Sequence, residues 1–391
     1  MTDLIFLKAQ HDAHQAHPPA LRVVYEGHTD GVRYGSWALV NRRLQPFLRG
    51  VPGLDLTVVE PGGWPDSEPP WDVWLSHYYP GLEARRGFRA PPAGARAWVP
   101  WVAWEVGACP PDWARAWREA GAREVWACSA HARRLLLAST ALDPARVRAV
   151  PYGVDCAVFA PRGETWPTKG DHFRVLYVGG EIPRKGVDLA IEAYCRAFTE
   201  AEPTRLVIKA QGRRSFYAQA PAVPAPEGRR DWQVVASDAY SDEQMAALYR
   251  SCDVLVAPYR AEGFCLPILE AMACGVPVVY PAHGPAPAYV PQEAGICVPS
   301  HRGEPDVEAV ARALRWLWAH PDERRAMGQA GRAGSEALDW RPRASAVWQA
   351  LRYAAVTDGT AFTPPAGVRP DPAPPAPPAP PTPDPVPAPG G

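Results

Sequence analysis

Largely apolar runs alternate with amphipathic segments along the first half of the chain. Runs without strict polar alternation are typical of parallel strands buried on both faces, and the segments between them have helical spacing. The runs predicted as strands are Leu21–Tyr25, Leu54–Val59, Val73–Ser76, Ala97–Ala103, Glu124–Cys128 and Arg146–Pro151. This order predicts a first α/β domain with a parallel sheet over residues 21–160.

A second series of the same kind begins at Arg174, after an irregular run rich in Pro, Gly, Thr and Lys that we interpret as a linker. Its predicted strands are Val175–Val178, Arg205–Lys209, Trp232–Val235, Asp253–Ala257 and Gly295–Val298. The series predicts a second domain over residues 161–335, with a Gly/Pro-rich excursion from Gly212 to Gly228. Within residues 336–360, Trp340–Ala355 predicts a final helix that packs back on the first domain.

The most informative stretch is APYRAEGFCLPILEAMACGVPVV, residues 257–279, where a strand leads into a loop, a short helix and a second strand. Pro267 suits the first helical turn and Gly275 the left-handed position that ends a helix. The helix start is an anion site, beside which the carboxylates of Glu262 and Glu270 would repel a phosphate. A sugar resolves this conflict, with Glu270 accepting hydrogen bonds from a ribose diol and Glu262 from hexose hydroxyls. The alternative is a buried turn with two solvated glutamates.

Two adjacent cations follow the first strand of the second domain. Gly179 and Gly180 end that strand, and Arg184 and Lys185 precede the next helix. Lys185 supplies a compact charge and Arg184 a fork able to chelate a phosphate or pair with a carboxylate. The pattern favours a diphosphate site when combined with the helix start at Pro267. An ordinary surface pair is the alternative.

Candidate residues of the first domain lie where strands end, because ligands of open α/β sheets gather at the carboxyl ends of strands. His77 follows one strand and Glu105 another, and Gly35 lies in a glycine-bearing loop before a helix predicted to begin near Ser36. A locally packed histidine and a loop carboxylate are the alternatives for the first two.

Composition narrows the function classes. The net charge of -1 gives no electrostatic reason to expect nucleic-acid binding. Sixteen tryptophans suit stacking on sugars or packing under long loops. Eight cysteines without close pairs indicate neither a zinc ribbon nor a disulfide framework, and favour a reducing cytoplasm.

No signal peptide or bilayer-spanning run is visible, so a cytoplasmic protein is predicted. Trp37–Arg49 is read as a core-facing helix, with peripheral contact at the inner face of a membrane as the alternative. Residues 1–20, which carry His11, His14 and His17, are read as an extension rather than a metal site. Residues 361–391 are a Pro/Ala-rich tail, predicted to be disordered and able to recruit a protein partner.

These motifs resemble those of retaining glycosyltransferases of family 4, also called glycosyl transferases group 1. The resemblance rests on four stretches, which together cover most of residues 150–300: VPYGVDCAVFAP (150–161), GGEIPRKGVDLAIEAY (179–194), SDEQMAALYRSCDVLVAPY (241–259) and EGFCLPILEAMACGVPVV (262–279). It implies the GT-B fold, in which two Rossmann-like domains face across a cleft, the first binding the acceptor and the second the nucleotide sugar.

Residue roles follow from the same resemblance. It implies Glu270 on the ribose hydroxyls, Lys185 on the diphosphate, and Glu262 near the transferred sugar together with the backbone of Gly263, Phe264, Cys265 and Leu266. The chain departs from the family at Gly180, where an arginine is frequent. It departs again at Trp104 and Glu105, near which many members have a histidine.

The implied reaction transfers a hexosyl group from GDP-hexose or UDP-hexose to an acceptor hydroxyl with retention of configuration. The acceptor would be a glycan, a lipid-linked sugar or a small molecule, in polysaccharide, glycolipid or other glycoconjugate synthesis. No Asp-X-Asp triplet occurs, so neither a metal nor a further cofactor is expected. The alternatives are a GT-B sugar-nucleotide epimerase, a glycogen-type phosphorylase, for which no pyridoxal lysine site is identifiable, and a non-catalytic subunit that binds sugar nucleotides.

Overall fold

The computed structural model describes residues 20–356 except 30, 81–87, 106, 167–169, 181, 211–231 and 237–239. Of residues 31–34 and 232–236 it describes the backbone alone. The predicted N-terminal extension with its three histidines (all but residue 20), the Gly/Pro-rich excursion and the Pro-rich tail lie outside the described residues.

The first domain is built on a parallel sheet of six strands in the order β2-β1-β3-β4-β5-β6. The strands are β1 (Leu21–Glu26), β2 (Leu54–Val59), β3 (Trp71–Ser76), β4 (Ala95–Val102), β5 (Val125–Ala127) and β6 (Val147–Ala149). Its helices are α1 (Gly31–Arg49), α2 (Pro111–Glu119) and α3 (Ala130–Ser139). Most residues of β3 and β4 are buried, as expected for strands covered on both faces.

The second domain has a parallel sheet of six strands in the order β12-β11-β10-β7-β8-β9. The strands are β7 (Phe173–Val178), β8 (Thr204–Ala210), β9 (Trp232–Ala236), β10 (Val254–Val256), β11 (Val278–Pro281) and β12 (Gly295–Val298). A short hairpin, β13 (Ser300–His301) and β14 (Glu304–Pro305), follows. The helices are α4 (Val187–Ala197), α5 (Asp242–Arg250), α6 (Leu266–Ala273), α7 (Val307–Ala319), α8 (Pro321–Glu336) and α9 (Trp340–Val356). The two parallel sheets confirm the predicted α/β class.

Helix α1 differs in part from its prediction. It consists of two helical segments that meet at Gly35, which is not helical (φ 57°, ψ -133°), so the longer segment begins after Gly35 as predicted and a further helical turn, from Gly31, precedes it. Glycine adopts this backbone conformation readily because it has no Cβ, whereas a Cβ makes the conformation sterically costly for other residues. Gly35 therefore breaks a helix in the structure instead of lying in the loop before one.

His77 lies in a buried polar network of the first domain. Its Nδ1 bonds to Oδ1 of Asn41, and its Nε2 bonds to the hydroxyl of Tyr152 at 2.8 Å. The Tyr25 hydroxyl donates to the same Asn41 oxygen at 2.7 Å, so that oxygen is an acceptor and His77 is the neutral Nδ1–H tautomer. Burial lowers the pKa of His77 to about 3. The network ties α1 to β1, to the end of β3 and to the segment after β6.

Helix α9 packs against α1, β3 and β4 of the first domain. At its start the amide of Trp340 donates to the Val154 carbonyl at 2.9 Å, and the fully buried indole lies against Gly153. A Cβ at Gly153 would lie 2.8 Å from the Trp340 ring, so this approach requires glycine. The indole thus fastens the last helix to the segment that joins the domains.

Replacing the buried indole should destabilise the protein strongly. We expect Trp340→Ala to lower the free energy of unfolding by about 3–5 kcal/mol, since it removes a large buried side chain and leaves a cavity. Trp316→Ala is the matched control, because Trp316 is 38% exposed on α7. Urea denaturation followed by fluorescence measures both, and equal shifts of the two midpoints would contradict the assignment.

His77 should make the fold sensitive to acid. The unfolded chain binds a proton near pH 6.5 and the folded one does not until about pH 3, so stability should fall by about 1.4 kcal/mol per pH unit below pH 6.5 from this residue. In His77→Gln this contribution to the slope disappears, whereas in His301→Gln, at an exposed histidine on β13, it remains. Denaturation midpoints between about pH 7.5 and pH 4.5 provide the measurement. An unchanged slope in His77→Gln would refute the neutral buried state.

Candidate functional site

The two domains meet where loops at the carboxyl ends of their strands face one another. The carbonyl of Gly263, in the loop after β10, accepts hydrogen bonds from Cys128 Sγ at 3.3 Å and Ser129 Oγ at 2.6 Å, both after β5. A Cβ at Gly263 would lie 3.3 Å from both Cys128 Sγ and the Trp104 carbonyl. The absence of a side chain at Gly263 therefore lets the domains approach closely at this point.

The loop that enters α6 has an unusual backbone. Cys265, the residue before the helix, is left-handed with φ 66° and ψ 67°, a conformation that costs a non-glycine residue about 1–3 kcal/mol. The Tyr289 hydroxyl donates hydrogen bonds to the carbonyls of Phe264 and Cys265, at 2.9 and 3.0 Å. Among the described residues, no group accepts a hydrogen bond from the amides of Gly263, Phe264 and Cys265. The turn therefore keeps its carbonyls bonded and leaves amide donors for an anion.

Lys185 and Glu262 form a largely buried ion pair beside this loop. Burial acts most strongly and lowers the pKa of Lys185, but the Glu262 and Glu105 carboxylates together more than offset it, so the net pKa is raised and the ammonium is charged. Lys185 ends a single turn of 3-10 helix, Pro183–Lys185, which Gly186 closes with φ 73°. A Cβ at Gly186 would lie 2.1 Å from the Pro258 carbonyl oxygen, so glycine is required there.

Arg184 reaches across the cleft to Glu105 of the first domain, at 2.9 Å. Burial raises the pKa of Glu105, while Lys185 and Arg184 oppose that rise. The predicted residues Arg184, Lys185, Glu262 and Glu105 thus lie in one cluster, with cations and carboxylates alternating.

Arg260 positions this cluster and was missed by the sequence analysis. Its guanidinium donates to the Pro183 carbonyl at 2.6 Å, to both oxygens of Asp188 at 2.9 and 2.6 Å, and to Glu304 at 2.8 Å. Its backbone amide donates to the Arg184 carbonyl at 2.8 Å. Arg260 therefore fixes the turn that carries both cations relative to Glu262. A basic residue two positions before Glu262 was the available signal.

Glu270 is buried and both of its oxygens already have donors. Tyr249 donates its hydroxyl to Oε2 at 2.7 Å, and Arg43 of α1 donates to Oε1 at 2.6 Å. The same guanidinium binds Asp242 with two bonds of 2.9 and 2.7 Å. The sequence did not predict the roles of Arg43, Tyr249 and Asp242. A basic residue on an amphipathic helix, such as Arg43, does not reveal which domain it contacts, and its partners lie about 200 residues away in the chain.

The other residues predicted for the site do not all lie beside the cluster of Arg184, Lys185, Glu262 and Glu105. Gly179 and Gly180 follow β7, and the Tyr177 hydroxyl donates to the Gly180 and Lys185 carbonyls, each at 3.2 Å. His77 has both ring nitrogens engaged inside the first domain, so it presents neither of them to the cleft. Gly35 marks the break in α1.

The described part of the chain contains no group of three or more His, Cys, Asp or Glu side chains placed to hold a metal ion. None of its helices is both long and apolar enough to cross a membrane.

Comparison with known proteins agrees with this architecture. Residues 164–334 match the family model "Glycosyl transferases group 1". A D-inositol 3-phosphate glycosyltransferase of Segniliparus rotundus is 31% identical over 238 residues, which cover 59% of this chain and 51% of that protein. An MMP alpha-(1->4)-mannosyltransferase of Mycolicibacterium hassiacum is 30% identical over 211 residues, covering 53% of this chain and 48% of that protein. The chain thus spans about half the length of these curated relatives.

Solved structures share the fold at low sequence identity. A glycosyltransferase from Rickettsia africae superposes with a TM-score of 0.65 and 13% identity, over 87% of this chain and 100% of that one. Anabaena HepE, solved in complex with UDP and glucose, has a TM-score of 0.60 and 13% identity, over 85% of this chain and 100% of that one. Residues 164–334 therefore form a domain of the glycosyl transferases group 1 family, set in a GT-B fold.

Proposed function

We propose that this protein is a metal-independent retaining glycosyltransferase that moves a hexosyl group from a nucleotide-diphosphate sugar to an acceptor hydroxyl. The observation that carries the proposal is the buried Lys185–Glu262 pair beside the amide donors of residues 263–265. A cation and free amides suit a departing diphosphate, and a carboxylate suits the hydroxyls of the sugar attached to it.

The donor would lie along the second domain. Lys185 and Arg184 would meet the diphosphate, with the amides of the turn before α6 and the backbone near Gly179 and Gly180. Glu270 would accept hydrogen bonds from the ribose diol. The family match over residues 164–334 supports this placement, since it includes all of these positions.

The reaction breaks the bond between the anomeric carbon and the phosphate oxygen, and the electron pair leaves with the diphosphate. The acceptor oxygen then bonds to the anomeric carbon on the face that the leaving group vacates, and its proton passes to a diphosphate oxygen. Lys185, Arg184 and the loop amides stabilise the developing negative charge, each well-placed donor lowering the barrier by about 3 kcal/mol. Glu105 lies at the acceptor side of the same cluster.

The names of similar proteins suggest the substrate classes. The curated relatives include an inositol 3-phosphate glycosyltransferase and mannosyltransferases, and a structural neighbour was solved with UDP and glucose. We propose UDP-hexose or GDP-hexose as donor and a glycan, lipid-linked sugar or small hydroxylated molecule as acceptor. Glycoconjugate synthesis at the cytoplasmic side of a membrane, with partners recruited by the Pro-rich tail, is part of the same proposal.

A panel of UDP- and GDP-hexoses tests the proposed function. Without acceptor, the purified protein should release nucleoside diphosphate slowly from one donor, and EDTA should leave the rate unchanged. Lys185→Ala should lower kcat by about 100- to 1,000-fold, because it removes a charge that stabilises the leaving group. Arg312→Ala, at an exposed i,i+4 pair on α7, is the control and should keep the rate.

A double variant separates chemistry from stability in that test. Lys185→Ala leaves Glu262 buried and unpaired, which destabilises a protein by about 3–5 kcal/mol. Lys185→Met combined with Glu262→Gln removes both charges, so it should recover folding without recovering turnover. Recovery of both would refute the roles assigned to Lys185 and Glu262, and nucleotide-sugar turnover by neither the wild type nor any variant would refute the transferase.

Glu270 should determine nucleotide affinity. We expect Glu270→Ala to weaken UDP or GDP binding by about tenfold or more, since charge-assisted hydrogen bonds are each worth about 1.5–3 kcal/mol. Isothermal titration calorimetry measures the affinity, and circular dichroism verifies the fold. Glu243→Ala, at an exposed carboxylate on α5, is the control. Unchanged affinity in Glu270→Ala would remove this residue from the donor site.

A further inference from the structure

An arginine of the first domain occupies the carboxylate assigned to the donor. Arg43 lies on α1, and its side chain is 7% exposed. It bonds to Glu270 with one nitrogen and to Asp242 with two, and both carboxylates belong to the second domain. The guanidinium also lies 5.1 Å from the centre of the Phe159 ring. Arg43 is therefore held in place across the cleft by charge, hydrogen bonds and a ring face.

In this arrangement each Glu270 oxygen already accepts a hydrogen bond, and the buried carboxylate has little surface left for a ligand to reach. Arg43 bonds Oε1 at 2.6 Å, Tyr249 bonds Oε2 at 2.7 Å, and the side chain is 5% exposed. A ribose diol would need these same oxygens. The hydroxyl of Tyr249 comes from the second domain itself, whereas Arg43 belongs to the opposite domain and can leave when the domains move apart.

We propose that Arg43 competes with the donor for Glu270, so that nucleotide binding requires this arginine to leave the carboxylate. The inference rests on the proposed function, which places the ribose at Glu270. Arg43 then sets the affinity for the donor without belonging to its binding site.

The partner carboxylates make such an exchange feasible. Asp242 binds Arg43 through two parallel bonds and its side chain is 31% exposed, so the guanidinium keeps a partner after it releases Glu270. A second ion pair between the domains joins Arg184 to Glu105, and here the cation belongs to the second domain and the carboxylate to the first. Two ion pairs thus join the domains across the cleft. Each of them includes a residue assigned to donor binding, Glu270 in one and Arg184 in the other.

The test compares ribose and deoxyribose nucleotides. The probes are UDP and GDP with their 2′-deoxy forms, measured by calorimetry on the full chain. In Arg43→Met the ribonucleotide should bind about tenfold more tightly than in the wild type, within the range of ordinary coupling between sites. The 2′-deoxynucleotide, which offers Glu270 one hydroxyl fewer, should gain clearly less.

Two further variants keep the result interpretable. Arg43→Lys retains the charge but cannot bond both carboxylates with a planar fork, so it should increase nucleotide affinity less than Arg43→Met does. It also replaces Arg43→Met in the test if that variant does not fold. Arg196→Met removes an exposed arginine paired with Glu192 and Glu308 and should leave both affinities unchanged.

The outcomes separate this inference from the proposed function. If the wild type binds nucleotide and Arg43→Met binds it no more tightly, the competition is refuted while the donor site stands. An equal gain for ribose and deoxyribose nucleotides also refutes it, because the effect then does not pass through the diol. If neither the wild type nor any Arg43 variant binds a nucleotide, the donor site itself fails and the inference fails with it.

Discussion

A charged side chain that leaves water must meet an opposite charge, because the cost of removing an ion from water is several kcal/mol even in a real protein. The cleft between the two domains follows this constraint throughout. Lys185 pairs with Glu262 within the second domain, while Arg184 with Glu105, and Arg43 with Glu270, pair across the domains. Each of these charges is thus matched by a protein group in this structure. A ligand that uses them must replace contacts that the protein already makes.

Backbone geometry places these charges where side-chain packing alone would not. The left-handed Cys265 turns its loop so that carbonyls meet Tyr289 and amides remain available. Gly186 permits an approach to a neighbouring strand end that a Cβ would block, and Gly263 permits an approach to the opposite domain that a Cβ would make tight. Arg260 then holds the cation-bearing turn against the loop of Glu262. The site therefore depends on a few backbone positions and on the contacts of Arg260.

The first domain contributes fewer of the predicted site residues to the cleft than the second domain does. His77, which its position at a strand end made a candidate, is neutral and fully engaged in a structural network. Glu105 reaches the cleft and pairs with Arg184, and Arg43 pairs with Glu270 of the second domain. The family match lies in the second domain, over residues 164–334. The first domain therefore contributes charges to the cleft from residues outside the range of the family match.

The sequence alone determined the parallel α/β class, the strand ends, Pro267 in the first turn of α6, the left-handed Gly275 and the grouping of Glu262 with Lys185. These features follow from local periodicity and from residue types with strong backbone preferences. Tertiary structure decided the break at Gly35, the burial of His77, and the roles of Arg260, Tyr249 and Arg43. Such contacts join residues that are far apart in the chain, as Arg43 and Glu270 are. Their formation depends on how two domains pack, which no local pattern of hydrophobic and polar residues records.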